Sequence, residues 1–391
     1  MKRGLMHCWT AVYEDAIKHA FKRIGVNLDT FTCGSFDYNN DENIFTAVEN
    51  YLIQCQSTNI PCDFVFSVNY IPVLSKVCEK HGVKYISWSM DSPLSTLYSK
   101  TISNECNYFF TFDKVQLNEA VCLGAKHVYS MPCGSGAMTC GESQGYMYDI
   151  SFLGNLYNNG RDDMYSTINT LPDRLKGFYE GIMQAQMQVY GYNFIQELIN
   201  RDMWNETRKC VTINGDAEYV DAYENHFVEM LNRHISRMER KKVLEEVGNR
   251  WKVDLYTGSD ISELDTKGII NHGYADYFKD MPKIFAGSKI NLNITSKSII
   301  SGIPLRVFDI MSCGGFVLSN YQPELAELFE NGREVVMYDS IPDLLNKIEY
   351  YLAHDDEREE IAHNGYLKVK EHYTFEKCLE KILDTVFGEV N

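Results

Sequence analysis

No two of the twelve cysteines stand as CxxC. Zinc ribbons and redox pairs need that spacing, so reduced and mostly buried thiols are the better reading than metal or disulfide roles. No apolar run approaches the length that spans a bilayer. The start, Met1-Lys2-Arg3 and the stretch from Gly4 to Val12, imitates a signal peptide only briefly. His7, Trp9 and Thr10 interrupt it, Glu14 and Asp15 stop it, and no small-residue cleavage site follows. A cytoplasmic protein without an integral membrane segment is expected. Positive charge is scarce: 37 Lys and Arg stand against 54 Asp and Glu, a formal net charge of −17. That argues against nucleic acid, which is held largely by Lys and Arg on phosphate. A small anionic ligand stays compatible, because one pocket needs few donors. The opening strand–helix turn carries no GxGxxG, which disfavours a dehydrogenase. Gly154-Asn-Leu-Tyr-Asn-Asn-Gly160 is not a Walker loop, and no Asp-x-Asp follows a strand. No cofactor is expected.

What is present reads as a globular α/β chain. With 391 residues, 45% hydrophobic and 23% charged, two domains are expected. Over the first 135 residues short apolar runs alternate with amphipathic stretches. Strands are predicted at Arg3–Cys8, Val26–Thr32, Asp63–Val68, Lys84–Ser89, Tyr108–Phe112 and His127–Met131, with helices between them. Runs such as Phe64-Val65-Phe66 suit a sheet covered on both faces, and the alternation itself predicts a parallel, doubly wound sheet. Gly134, Gly136, Gly141 and Gly145 mark a linker over Pro132 to Tyr148. Beyond it the region from about 158 to 250 is mainly helical. The alternation then resumes, with helices including Tyr277–Phe285, Leu305–Cys313 and Phe375–Phe387. The expected domains are 1–140 and 147–372, the second with the helical insert, while the helix in 374–391 packs back on the first. Two doubly wound Rossmann-like domains facing each other would share one crevice at their C-terminal strand ends.

The most informative stretch runs from Ser301-Gly-Ile-Pro-Leu-Arg306 through Asp309 to Gly314-Gly315 and Asn320. A strand ending in Asn291-Leu-Asn293 leads through a Gly/Pro loop into a helix. The free N–H groups and positive dipole of its first turn favour a diphosphate. Arg306 is placed to add a bidentate phosphate contact, and Asp309 to accept from sugar or ribose hydroxyls. The plainer reading is a strand–helix–strand unit with a surface Arg and a surface Asp.

The same segments resemble the CgeB-like (spore maturation protein) glycosyltransferases. The matching features are His272-Gly273-Tyr274, Pro282-Lys-Ile-Phe285, Lys289-Ile-Asn-Leu-Asn-Ile294, Leu305-Arg-Val-Phe-Asp309, Cys313-Gly-Gly-Phe316 and His372-Tyr-Thr374. Ile150-Ser-Phe-Leu-Gly154 and Trp88-Ser-Met-Asp-Ser-Pro93 match upstream. The resemblance implies a GT-B fold and transfer of a sugar from a nucleoside-diphosphate sugar, UDP-sugar favoured, without a metal. The implied acceptor is a glycan or glycoprotein of a bacterial surface. It also implies a donor site in the second domain. Gly154 and Asn155 would form the loop after the first strand, and His272, Gly273 and Tyr274 would lie against the base. Asn293 would close the next strand, Leu305 and Arg306 would hold the diphosphate, and Asp309 the ribose. Where many retaining GT-B enzymes carry Glu–x7–Glu, this chain has Ser301 and Asp309, which leaves the stereochemical outcome open.

On the acceptor side, Asp91 follows a first-domain strand and is a candidate general base. Its alternative reading is a cap on the turn before Pro93. His7, Trp9, Asn69 and Tyr70 also end strands, where ordinary packing competes with stacking on a sugar. The tyrosines of the insert (Tyr179, Tyr190, Tyr192, Tyr219, Tyr223) invite the same pair of readings. Two rivals to transfer remain: a nucleotide-sugar epimerase of related fold, and a non-catalytic nucleotide-sugar-binding module.

Overall fold

Twelve strands and fifteen α-helices occur among the residues that the computed structural model describes, which are 2–9, 13–33, 37–136, 145–158, 165–213 and 222–388. Thr10, Val12, Gly141, Gly160 and Tyr219, which entered the sequence reading, lie outside them. The chain divides into two units. The first runs to Gly136 and takes in the C-terminal segment from Glu371; the second spans Ala137–Asn214 and Tyr223–Lys370.

The first unit contains β1 (Arg3–Cys8), α1 (Glu14–Arg23), β2 (Asn27–Thr32), α2 (Glu42–Ser57) and β3 (Phe64–Val68). It continues with α3 (Pro72–His81), β4 (Lys84–Trp88), β5 (Asn107–Thr111), α4 (Lys114–Cys122) and β6 (Val128–Ser130). Every residue of β3 is buried, as a central strand covered on both faces requires. The helices start where polar side chains cap them: Asp41 accepts from Asn43 and Ile44 N–H, and Asp113 from Val115 N–H. Gly82 ends α3 at φ +64°, a left-handed position that a Cβ would strain. The sheet is parallel, in the order β2-β1-β3-β4-β5-β6.

The second unit opens with β7 (Tyr148–Leu153) and the helices α5 (Tyr165–Ile168), α6 (Asp173–Met187), α7 (Ile195–Leu198), α8 (Arg201–Cys210) and α9 (Ala222–Gly248). Then follow β8 (Val253–Tyr256), β9 (Ile269–Asn271), α10 (Met281–Ala286), β10 (Ser288–Asn293) and α11 (Leu305–Ser312). β11 (Val317–Asn320), α12 (Pro323–Leu328), β12 (Val336–Tyr338), α13 (Ile341–Ala353) and α14 (Asp355–His372) complete it. Its parallel sheet has the order β12-β11-β10-β7-β8-β9. The helix expected over Tyr277–Phe285 begins only at Met281. Asp276 takes the N–H groups of Phe278 and Lys279 in a turn, and Pro282 suits a first turn but not a helix interior. Ser340 caps α13 as its sequence predicts, accepting from Asp343 N–H with Pro342 in the first turn.

The helical insert has its own core, in which Ile168, Leu175, Tyr179, Phe227, Leu231 and Ile235 are buried together. The second half of α9 belongs elsewhere: Val243, Leu244 and Val247 pack in the core of the sheet. One 27-residue helix thus serves both the insert and the crossover from β7 to β8. The final helix, α15 (Phe375–Phe387), packs in the first unit. Phe375 meets Trp88 edge-on at 5.6 Å, Phe387 lies 6.0 Å from Phe64, and Arg23 pairs with Glu376 at 2.6 Å.

Candidate functional site

Strand order reverses once in each sheet, between β1 and β3 and between β7 and β10. In open α/β sheets the crevice beyond the C-terminal strand ends at such a point is where ligands bind.

In the second unit β7 runs out into Gly154 and Asn155, and β10 into Ile294–Ser298. Gly154 N–H donates to Tyr256 O at 3.2 Å. Asn155 Oδ1 accepts from Tyr157 N–H at 2.6 Å and from the Ser259 hydroxyl at 3.1 Å. Asn293 is buried, and its amide donates to the hydroxyls of Thr295 (3.0 Å) and Ser319 (2.9 Å). The structure joins these two loops through Arg240 on α9, which the sequence reading passed over. Its Nη1 donates to Asn155 O and its Nη2 to Ile294 O at 2.7 Å. On the same face of α9, Ser236 Oγ accepts from Lys297 N–H at 2.8 Å, and Glu239 pairs with Lys297 at 3.4 Å. Burial pushes the Glu239 carboxyl up and the Lys297 ammonium down, and their mutual attraction opposes both shifts. The available signal was the i, i+3, i+4 spacing of Ser236, Glu239 and Arg240 among the apolar positions of a long helix.

Leu305 opens α11. Pro304 occupies the N-cap and no side chain caps the first turn, so its N–H groups keep the character of an anion cradle. Arg306 lies back along the helix. Its Nη1 reaches Met281 Sδ at 3.0 Å and stands 3.7 Å from Asp309 Oδ2, with the guanidinium over the Phe285 ring. Asp309, which on the plainer reading is a surface residue, is instead buried, and it accepts from Tyr277 OH at 2.8 Å rather than standing free for a sugar or ribose hydroxyl. Burial pushes its pKa up to about 6, against the pull of Arg306 and the Tyr277 hydrogen bond. At Ser301, where the retaining pattern has glutamate, a carboxylate arrives from another element: the Ser301 hydroxyl donates to Glu324 Oε1 at 2.8 Å.

His272 turns back onto β8. Its Nε2 stands 2.7 Å from Asp254 Oδ1, and its ring stacks on Tyr256 at 4.7 Å and 20°. Gly273 adopts φ +80°, and Tyr274 beyond it is 74% exposed. Of this trio only Tyr274 presents a free aromatic face.

In the first unit Asn69 and Asp91 come together. Asn69, at φ +60°, donates from Nδ2 to Asp91 Oδ2 at 2.7 Å. Its Oδ1 accepts from Met90 N–H at 2.9 Å and Asp91 N–H at 3.3 Å. One carboxamide therefore fixes both the backbone and the carboxylate of the loop after β4. Tyr70 points into the core, its hydroxyl 2.8 Å from Thr101 Oγ1. His7 is buried with its ring 4.9 Å from Phe31, and burial lowers its pKa to about 4, with Asp41 opposing. Neither ring is presented for stacking. Trp9 is half-buried, and its backbone N–H donates to Glu14 Oε1 at 2.8 Å. In the insert, Tyr179 is a core residue bonded to Thr207.

Gly141-Glu-Ser-Gln-Gly145 has the Gly-x-Ser-x-Gly spacing of a hydrolase elbow, but an elbow follows a strand. This pentapeptide comes instead shortly before β7, and four of its five residues lie outside those described. Among the described residues no group of three or more His, Cys, Asp and Glu side chains is placed to hold a metal ion. No described helix is long and apolar enough to cross a membrane.

Comparison with known proteins bears on the fold. A family model described as glycosyl transferase-like matches residues 218–384. No match is found among curated proteins. Among solved structures, HepE from Anabaena in complex with UDP and glucose is similar over 99% of each chain, at 9% identity and a TM-score of 0.54. The phage T4 β-glucosyltransferase covers 98% of this chain and 100% of its own, at 11% identity and a TM-score of 0.52. Sucrose-phosphate synthase from Thermosynechococcus elongatus covers 99% of both chains, at 11% identity and a TM-score of 0.50. At such identities the likeness is one of fold, and that fold is GT-B: two Rossmann-like α/β domains, here with a helical insertion in the second.

Proposed function

We propose that the protein transfers a sugar from a nucleoside-diphosphate sugar, with UDP-sugar favoured, to a glycan or glycoprotein acceptor. The observation that carries this reading is the start of α11, which no side chain caps and which follows the β10 end of the switch point in a GT-B fold. The glycosyl transferase-like match over residues 218–384 and the UDP or UDP-glucose held by structurally similar proteins support it. In this reading the N–H groups of Leu305 and Arg306, with the Arg306 side chain swung from Met281, stabilise the leaving diphosphate as its charge grows. Gly154, Asn155 and Asn293 frame the donor, while His272, Gly273 and Tyr274 flank the base. Asp309 acts through Tyr277 and Arg306 or, after rearrangement, on the ribose. Asp91, held by Asn69, is the base on the acceptor hydroxyl, with Trp9, His7 and Tyr70 shaping the surroundings. The transfer is metal-independent, since the sequence lacks Asp-x-Asp. A CgeB-like enzyme of the bacterial cytoplasm is the finer form of the proposal.

A non-catalytic binding module is the second reading, favoured by the burial of Asp309 and by Ser301 in place of glutamate. A thermal-shift screen against UDP, GDP, ADP and their sugars tests the first step. Ligand at 100 times its Kd adds about 2.7 kcal/mol of apparent stability. A rise with UDP or a UDP-sugar is expected; no rise with any of them at millimolar concentration defeats the proposal. Slow hydrolysis of the bound donor without acceptor separates a transferase from a binding module, and an isomerised sugar would indicate an epimerase.

A further inference from the structure

Beneath the β7/β10 switch point α9 presents one cation, Arg240, and one carboxylate, Glu239, and the loop after β10 adds a second cation, Lys297. Arg240 is 8% exposed. Its guanidinium lies over the rings of Phe152 at 5.6 Å and Tyr157 at 4.7 Å, so it is fixed from the β7 side. Its two terminal nitrogens go to backbone carbonyls on opposite sides of the crevice, Asn155 O after β7 and Ile294 O after β10. Nε makes no hydrogen bond within the described residues. A planar fork with both tines engaged fixes distance and orientation together, which a flexible ammonium does not. The hydrogen bonds of this buried cation go to neutral carbonyls, and the one buried carboxylate beside it, Glu239, is shared with Lys297, so the cluster holds two cations against one carboxylate. In a chain of net charge −17 that local sign suits an anion and opposes the overall field.

We infer that Arg240 is a positioning residue for donor binding: it sets the spacing of the loops after β7 and β10, between which the diphosphate is received. The inference rests on the donor-site reading above and adds a residue to it. Ser236 and Glu239 act on the β10 side, through Lys297, whereas Arg240 reaches both loops. A misplacement of about 1 Å can cost on the order of 100-fold in rate, and a cradle out of register loses nucleotide contacts as well, so removal of the fork should weaken nucleotide binding well beyond any loss of stability.

The experiment uses the full chain as parent, Arg240→Met, which keeps an apolar stem without donors, and Arg240→Lys, which keeps the cation without the fork. UDP affinity is measured by calorimetry well below the melting temperature of each protein, and amide hydrogen exchange is followed in the absence of ligand. Arg240→Met should bind UDP roughly 10- to 100-fold more weakly, with faster exchange in both 154–157 and 295–298, and Arg240→Lys should fall between it and the parent. A merely structural arginine would lower the melting temperature of both variants while leaving UDP affinity in the folded state within about twofold. That result, or faster exchange in one loop only, overturns the inference and leaves the donor site intact. If Arg240→Met does not fold, Arg240→Lys decides by the same two readouts. A parent that binds no UDP overturns the inference together with the donor-site reading, and is recognised by the parent alone.

Discussion

The loops at the C-terminal strand ends of the two sheets are held by opposite chemistry. After β3 and β4 a neutral carboxamide, Asn69, binds a carboxylate and two backbone N–H groups. After β7 and β10 a guanidinium binds two backbone carbonyls. The first arrangement fixes one acidic group, Asp91, and the second fixes one cation, Arg240, between two strand ends. In the proposed reading the same doubly wound plan serves proton chemistry in one unit and an anion in the other.

The comparison breaks most visibly at Asp91. Asp91→Asn should lower kcat by about 10²- to 10⁴-fold, the range of general base catalysis, with UDP affinity unchanged. Weakened UDP binding in this variant would mean that the two units are not divided in this way. Next in size, Arg306→Ala should cost on the order of 10²-fold in turnover with a verified donor while the far-ultraviolet spectrum stays that of the parent. Turnover equal to the parent's would remove Arg306 from the site.

A smaller effect sharpens the contrast through pH. His7 has its pKa lowered from 6.5 to about 4 by burial. Its stabilising contribution is present above pH 6.5 and is lost as pH falls through that window, by at most roughly 3 kcal/mol. Asp309 has its pKa raised from 3.8 to about 6. Its contribution is complete below pH 3.8 and is lost as pH rises through 6, again by at most roughly 3 kcal/mol. His7→Gln should therefore flatten the loss of stability of the first unit between pH 6.5 and 4, and Asp309→Asn should flatten the opposite slope of the second between pH 4 and 6. Melting curves across pH 4 to 8 check both, and an unchanged slope in either variant removes the burial argument for that residue.

The sequence disclosed the parts whose signal is local. β1 falls on Arg3–Cys8 as predicted, the all-apolar Phe64–Phe66 run is a central strand, and Gly82 and Ser340 sit at the helix ends that their chemistry implies. Residues that act across the fold left at most a polar spacing, such as that of Ser236, Glu239 and Arg240 on α9, which does not name their partners. Arg240 holds carbonyls 85 and 54 positions away in sequence, and nothing near residue 240 announces them. The inward turn of Asp309 depends on where Tyr277 lands, and Tyr277 precedes α10 because Asp276 and Pro282 delay that helix. A polar residue in a helix reads as exposed until its partner is known. Likewise Glu324 meets Ser301 only because α12 follows β11 back past the loop before α11.

The most direct test of the account is a crystal structure of the protein with UDP. The diphosphate should lie within hydrogen-bonding distance of the Leu305 and Arg306 N–H groups, framed by residues 154–155 and 294–298, with Arg240 still bridging the two loops. A nucleotide bound elsewhere, with the start of α11 unoccupied, would contradict it.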